Sequence, residues 1–194
     1  MAKTKIGILY DFDKTLCTTD MQEYSFIKNL GMTSNEFWGS AADITEKHEV
    51  EKILAYMFVM IKKCKEKGIP LTEEYLNKCG ENVVLFKGVE TWFDRINEYG
   101  ESLGVKIEHY IISSGTYEII EGTPIAKYFK RIYACKYMYD ENGEAHVTDV
   151  VDFGLTLDER IADGYYYSGT MALVKELLAH PELLELPALM AEEE

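Results

Sequence analysis

The sequence predicts an α/β fold: a parallel sheet with helices on both faces, a small all-helical insertion, and a helical C-terminal tail of different character. Three observations carry that prediction. The apolar run Ile6-Gly7-Ile8-Leu9-Tyr10 has the length of one buried strand and stops abruptly at Asp11-Phe12-Asp13. A second apolar run, residues 105–112, stops at Ser113-Ser114-Gly115-Thr116. The long stretch between them, residues 18–84, reads as helix.

Chemistry is expected where the first strand ends. Side chains alternate on an extended chain, so Asp11 and Asp13 share one side while Phe12 turns back toward the core. Two carboxylates held there suit a hard cation such as Mg2+, and one of them is free to act as nucleophile or acid/base. The same string also suits a plain acidic turn. Ligands of open α/β sheets collect at the C-terminal ends of strands, which favours the chemical reading.

The remaining elements follow from periodicity and punctuation. Met21, Tyr24, Ile27 and Leu30 recur at helical spacing before Gly31, and a second helix is expected over residues 46–67 on the stripe Val50, Ile53, Leu54, Met57, Phe58 and Ile61. Tyr56, Met57, Phe58 and Met60 are expected to be core rather than pocket lining. Thr72 reads as the N-cap of a third helix. A fourth carries Trp92, Phe93, Ile96 and Tyr99 on one side and is expected to close at Gly100. At the tip of the second strand, a small hydroxyl and free backbone N–H groups would face an anion, unless the serines merely cap a turn. Thr123-Pro124 reads as a helix start. Residues 132–139 read as a strand that turns at Asn142-Gly143 and returns through residues 147–151.

Composition narrows the class of function. At 194 residues with a hydrophobic share of 47% and a charged share of 28%, the chain suits an ordinary globular domain with an insertion. Its 34 acidic against 20 basic residues give a formal charge of −14, which repels nucleic acid and anionic membrane surfaces. Neither is expected as a partner. Cys17, Cys64, Cys79 and Cys135 form no Cys-x-x-Cys pair and no zinc spacing, as suits a reducing cytoplasm. The apolar run after Lys5 is too short for a signal peptide's core, and a cytoplasmic location is expected.

The string Asp11-Phe12-Asp13-Lys14-Thr15 after an apolar strand resembles the first motif of the haloacid dehalogenase (HAD) superfamily. The order that follows is helical insertion, Gly88-Val89 with a helix, then a strand ending in Ser113. It is similar to that of the family's phosphoserine-phosphatase-like members. The resemblance spans residues 5–153. It implies a Rossmann-like core over residues 1–17 and 85–153, with residues 18–84 as a cap. It also implies a Mg2+-dependent phosphomonoester hydrolase acting on a small phosphorylated metabolite. Asp11 would be the nucleophile and Asp13 the acid/base. Asp11 and Asp13 would hold the metal, and Ser113, or Ser114 one position on, would bind the phosphoryl group with Gly115.

Two further elements of the family are altered. The lysine expected soon after residue 153 is absent, since no lysine occurs from 137 to 174, and Lys136 is expected to be a solvated strand residue. The last acidic motif survives only as Asp163-Gly164, in which Asp163 is a third metal-ligand candidate. Residues 154–194 instead resemble the C-terminal end of the 2-oxo-acid dehydrogenase acyltransferases, with Glu159 where their signature has a His general base. The competing functions are therefore a non-catalytic HAD-derived binding or fusion protein and, more remotely, an acyltransferase-related fragment. Oligomeric state is left open.

Overall fold

The structure is a computed structural model that describes residues 4–148, 160 and 164–185. The chain forms two compact units, Met1–Thr148 and Asp149–Glu194. In the first, strands β1 (Thr4–Tyr10), β2 (Val105–Thr116) and β3 (Phe129–Cys135) form a parallel sheet with β2 in the middle. Ile6 lies opposite Ile107 and Tyr10 opposite Ile111, while Ile111 lies opposite Ile132. Parallel neighbours need a long crossover. Between β1 and β2 that crossover is entirely helical.

It begins with a single 3-10 turn, Met21–Glu23, and a short helix α1 (Phe26–Asn29), in place of one helix over residues 20–30. Next come α2 (Ser34–His48) and α3 (Lys52–Lys67), where the sequence predicts one helix from residue 46. The physical cause is local. Thr33 and Glu36 form a reciprocal capping box that starts α2. Glu49, in the left-handed region at φ 53°, ends it. Glu51 then accepts the N–H groups of Ile53 and Leu54 and starts α3. Val50 therefore sits in the break rather than on a stripe. α4 (Glu73–Gly80) begins as expected, with the Thr72 side chain accepting the Tyr75 N–H.

α5 (Val89–Ser102) does not close at Gly100 but runs two residues past it. The missing side chain at Gly100 instead admits Ile107 of β2, whose Cδ1 would lie 3.1 Å from a Cβ placed there. Of the helix's four predicted core residues only Phe93 is buried; Tyr99 is 62% exposed. After β2 the chain enters α6 (Tyr117–Glu121), and Thr123-Pro124 leads from it into a single 3-10 turn, Ala126–Tyr128, whose N-cap is Ile125 rather than Thr123; the Thr123 hydroxyl donates back to the Ile120 carbonyl. A hairpin forms about the expected turn, but its strands differ. The run expected as one strand over residues 132–139 is divided into β3 and a separate β4 (Met138–Tyr139). The return is β5 (Ala145–His146) rather than residues 147–151, of which 147 and 148 lie in no strand and 149–151 fall outside the described residues. Asp140 Oδ1 accepts the N–H groups of Asn142 and Glu144 across its turn, and Gly143 takes the positive φ. The second unit contains α7 (Gly164–Ala179), where the sequence predicts an apolar helix, and a 3-10 turn at Pro181–Glu185.

Helices flank the sheet. Phe93 of α5 packs against Tyr10, His109 and Phe129, edge-on to each, and stacks on Tyr128. Each such pair contributes about 0.5–1.5 kcal/mol beyond area burial. On the other face Leu9, Ile112 and Tyr133 are about half exposed. The core continues from the sheet into the insertion through fully buried Phe12, Met21, Phe26, Phe37, Met60 and Leu76. Among the described residues no helix is long and apolar enough to cross a membrane.

A polar chain ties β1, β2 and α5 together. Asn97 Oδ1 can only accept, so His109 Nε2 carries the ring proton and donates to it at 3.1 Å. His109 Nδ1 therefore accepts from the Tyr10 hydroxyl at 3.0 Å, and Trp92 Nε1 donates to that hydroxyl at 2.9 Å. Burial holds the His109 pKa below its ordinary value of 6.5. The unfolded chain thus takes up a proton on His109 more readily than the folded one. The stabilisation is complete above pH ~6.5 and is lost as pH falls from there toward the depressed folded value. Asp13 works in the opposite sense, since its raised pKa makes the folded chain the better proton acceptor, so the test is a difference. In thermal unfolding, the stability advantage of the chain over His109→Gln should shrink as pH falls below 6.5, and an advantage that does not change with pH would overturn this account. A second test concerns the close packing of α4 on the turn after α6. There a Cβ on Gly122 would strike the Asn77 carbonyl, backbone against backbone. Gly122→Ala normally stabilises by reducing unfolded-state entropy. Here it should cost about 1–3 kcal/mol in urea unfolding, as overpacking does.

Candidate active site

The loop after β1 is held by its own turn. The Phe12 carbonyl accepts the N–H groups of Thr15, Leu16 and Cys17, and the Phe12 ring is fully buried, so the two flanking aspartates are carried at a fixed point of the strand end. Lys14 makes the bend at φ 57°. Asp11 is exposed, and its Oδ2 accepts the Thr15 hydroxyl at 2.8 Å. Asp13 is partly buried, and its Oδ1 accepts the Met21 N–H at 2.7 Å. Burial is the largest cause of a pKa raised to about 6, with Asp20 and Asp11 adding repulsion and the Met21 N–H acting against them.

The end of β2 lies against this loop: the strand does not stop before Ser113 but runs on through Thr116, with an irregular register to β3 between Ile112 and Thr116. A Cβ on Gly115 would sit 3.1 Å from Asp13 Oδ2 and would have to displace the end of the Met21 side chain. Ser113 Oγ accepts the Gly115 N–H at 2.9 Å. That N–H is therefore occupied, contrary to the expectation that it faces an anion, while the Ser113 hydroxyl hydrogen is free to be donated. The Ser114 carbonyl accepts the Tyr56 hydroxyl of α3 at 2.8 Å.

A cavity of about 460 Å³ opens over the loop after β1 and the end of β2. Its floor is Asp13, Ser114 and Gly115; Ser113 and Asp11 are not in its lining. Its wall comes from the insertion: Asp20 and Gln22, then Trp38, Ala41, Ala42, Thr45 and Glu46 of α2, then Lys52, Ile53 and Tyr56 of α3. The structure thus brings Asp13, Ser114 and Gly115 together around one space, with Asp11 and Ser113 adjoining. Asp163 lies outside the described residues. Lys136 is not a strand residue but follows β3, with its Nζ 3.6 Å from the centroid of the Tyr117 ring.

Sequence reasoning missed the cavity wall. Tyr56 is 93% buried as expected of core, yet it also lines the cavity. Trp38, Ala41, Ala42 and Thr45 follow an i, i+3, i+4, i+7 stripe that becomes visible only once α2 is recognised. Gln22 carries no signal in the sequence.

Among the described residues no group of three or more His, Cys, Asp or Glu side chains could hold a metal. Two carboxylates at one strand end are nevertheless the donor set that Mg2+ accepts, since it binds through one or two carboxylates and keeps several waters. The thiols are inert: burial pushes Cys17 and Cys64 up to about 12 and Cys79 to about 11.

No protein-family model matches the chain. An uncharacterized protein of Borreliella burgdorferi is 27% identical over 143 residues, which are 69% of this chain and 50% of the relative. The chain spans about half the length of that relative. Solved structures similar to it include a HAD family hydrolase from Salmonella enterica serovar Typhi, with a TM-score of 0.49 and 17% identity over 74% of this chain and 45% of the other. A phosphoserine phosphatase determined as a phospho-aspartyl intermediate analogue has a TM-score of 0.49 and 15% identity, over 74% of this chain and 61% of the other. A phosphoserine phosphohydrolase-like protein from Francisella tularensis has a TM-score of 0.47 and 17% identity, over 76% and 65%. These comparisons lend no support to the acyltransferase resemblance of residues 154–194.

Proposed function

We propose that the chain is a HAD-type, Mg2+-dependent phosphomonoester hydrolase acting in the cytoplasm on a small phosphorylated metabolite. One observation carries the reading: Asp13 of the Asp11-x-Asp13 loop and Ser114–Gly115 at the end of β2 meet at the floor of a cavity walled by the helical insertion. An Asp11 carboxylate oxygen attacks phosphorus, the bond from phosphorus to the leaving oxygen breaks, and Asp13 gives that oxygen a proton. Water then attacks the aspartyl-phosphate, Asp13 takes the water's proton, and the bond between Asp11 and phosphorus breaks. A carboxyl pKa raised to about 6 suits both halves of that cycle, because Asp13 exists in both forms near neutral pH.

The Ser113 hydroxyl donates to a phosphoryl oxygen while the Gly115 N–H fixes Ser113 Oγ from behind. Ser114 contributes its backbone to the cavity floor, where Tyr56 holds its carbonyl. The Asp11 carboxylate and the Asp13 carbonyl would hold Mg2+, with Asp163 as the remaining candidate. When bound, the ion offsets the repulsion between carboxylate and phosphate. Residues 18–84 act as the cap that excludes water and selects the substrate, and residues 1–17 and 85–153 as the core.

The test is hydrolysis of p-nitrophenyl phosphate with and without Mg2+, by the chain and by Asp11→Asn. Turnover is expected only with Mg2+ and should fall by at least about a hundredfold in the variant. Folded protein without turnover above the variant's would leave the non-catalytic binding protein as the better reading.

A further inference from the structure

The cavity sets three acidic residues, Asp13, Asp20 and Glu46, against one cation, Lys52. A phosphate dianion placed among them meets net repulsion unless positive charge answers it. The strand ends supply little of what it needs. The Gly115 N–H is occupied by Ser113 Oγ, which leaves the Ser113 hydroxyl as the donor identified there.

Two lysines near the site are engaged elsewhere. Lys14 Nζ holds Asp20 at 2.7 Å, and Lys136 Nζ lies over the Tyr117 ring. Lys52 differs from both. It lines the cavity, is exposed and so open to an entering ligand, and among the described residues makes no ion pair or hydrogen bond, Glu46 of the same lining included.

Its place in the fold is fixed at several points. Lys52 is the first residue of α3, which Glu51 caps. The Tyr56 hydroxyl donates to the Ser114 carbonyl at 2.8 Å, and the Tyr137 hydroxyl donates to the Met57 carbonyl at 3.0 Å. Because Glu51 takes up the N–H groups of Ile53 and Leu54, this helix end offers the cavity a lysine side chain rather than free amides. Lys52 and Tyr56 are four residues apart, hence on one face of the helix and about 6 Å apart along its axis. Tyr56 reaches the cavity floor through Ser114, and the flexible four-carbon stem of a lysine carries its charge over a distance of that order.

Resting on the phosphatase reading above, we infer that Lys52 is a further catalytic residue, whose ammonium binds a phosphoryl oxygen of the ester and of the aspartyl-phosphate formed from it. The insertion thereby supplies the lysine that residues 137–174 lack.

Calorimetric titration with inorganic phosphate in Mg2+, beside hydrolysis of p-nitrophenyl phosphate, tests this in the chain and in Lys52→Met, Lys52→Arg and Lys62→Met. Lys62 is exposed on the same helix and outside the cavity lining, so Lys62→Met removes the same charge without touching the site. Lys52→Met should weaken phosphate binding about tenfold or more, the worth of one charged hydrogen bond, and lower kcat/KM for the ester at least as far. Lys52→Arg should keep most of both, and Lys62→Met should match the chain. The thermal unfolding midpoint of Lys52→Met should also match, because the side chain has no partner to lose. Unchanged phosphate affinity in Lys52→Met would overturn the inference, even where KM for the ester rises, since Lys52 would then meet the leaving group instead. A loss in Lys62→Met as large as in Lys52→Met would overturn it too, by assigning the effect to overall charge. Either result, with turnover still lost in Asp11→Asn, leaves the phosphatase reading intact. Phosphate bound through Lys52 by a chain without turnover would remove the phosphatase reading alone.

Discussion

The parallel register of β1 and β2 is the constraint on which the described domain depends. With Tyr10 opposite Ile111, β1 ends where β2 still runs on to Thr116, and the loop that begins at Asp11 lies beside residues 113–116 of that strand. Their approach is close enough that a Cβ on Gly115 would lie 3.1 Å from Asp13 Oδ2 and press on the end of the Met21 side chain. Parallel pairing also forbids a short connection between the strands, and the chain fills the obligatory crossover with helices that become the roof of the cavity. Site floor and site roof are thus two consequences of one pairing.

Asp13 shows what this packing costs and what offsets it. Burying Phe12 completely beside it contributes about 1.5–3 kcal/mol and pins the loop. The same closeness strips water from the Asp13 carboxyl, and a single backbone donor, the Met21 N–H, only partly replaces it. The raised pKa is therefore a product of the fold, because the residue that donates to Asp13 belongs to the first turn of the crossover. Asp11, on the other side of Phe12, is exposed.

The end of β1 was legible in the sequence because its signal is local: an apolar run, then two carboxylates around a phenylalanine; the two serines and the glycine expected to end β2 are instead among its last residues, since pairing with β3 carries it on to Thr116. The first signal is a statement about alternation on an extended chain, which neighbours do not alter. The hairpin turn was legible for the same reason, through Asn142-Gly143. The helices of the insertion were not, since the break at residues 49–51 depends on caps supplied by Thr33, Glu36 and Glu51 rather than on periodicity. Gly100 and Thr123 misled for a related reason. Glycine can end a helix or admit a neighbour, and threonine can cap forward or bond backward; tertiary contacts with Ile107 and Ile120 decide. The cavity wall was illegible because Gln22, Trp38 and Thr45 are brought to one space only by the packing of the insertion's helices, which no local pattern announces.

Charge sets the last condition on the proposed chemistry. The chain carries a formal −14, and the cavity lining sets Asp13, Asp20 and Glu46 against Lys52, with Lys14 2.7 Å from Asp20. For a phosphate dianion to bind there, as the proposed reading requires, part of that negative charge would have to be offset. A hard cation at the strand end would offset part of it, and a proton on Asp13 another unit. On that reading the proton sits on the group proposed to deliver it to the leaving oxygen, so the desolvation that raises the Asp13 pKa would serve binding and catalysis together: it would lower the repulsion an incoming phosphate meets and supply the acid that its departure needs.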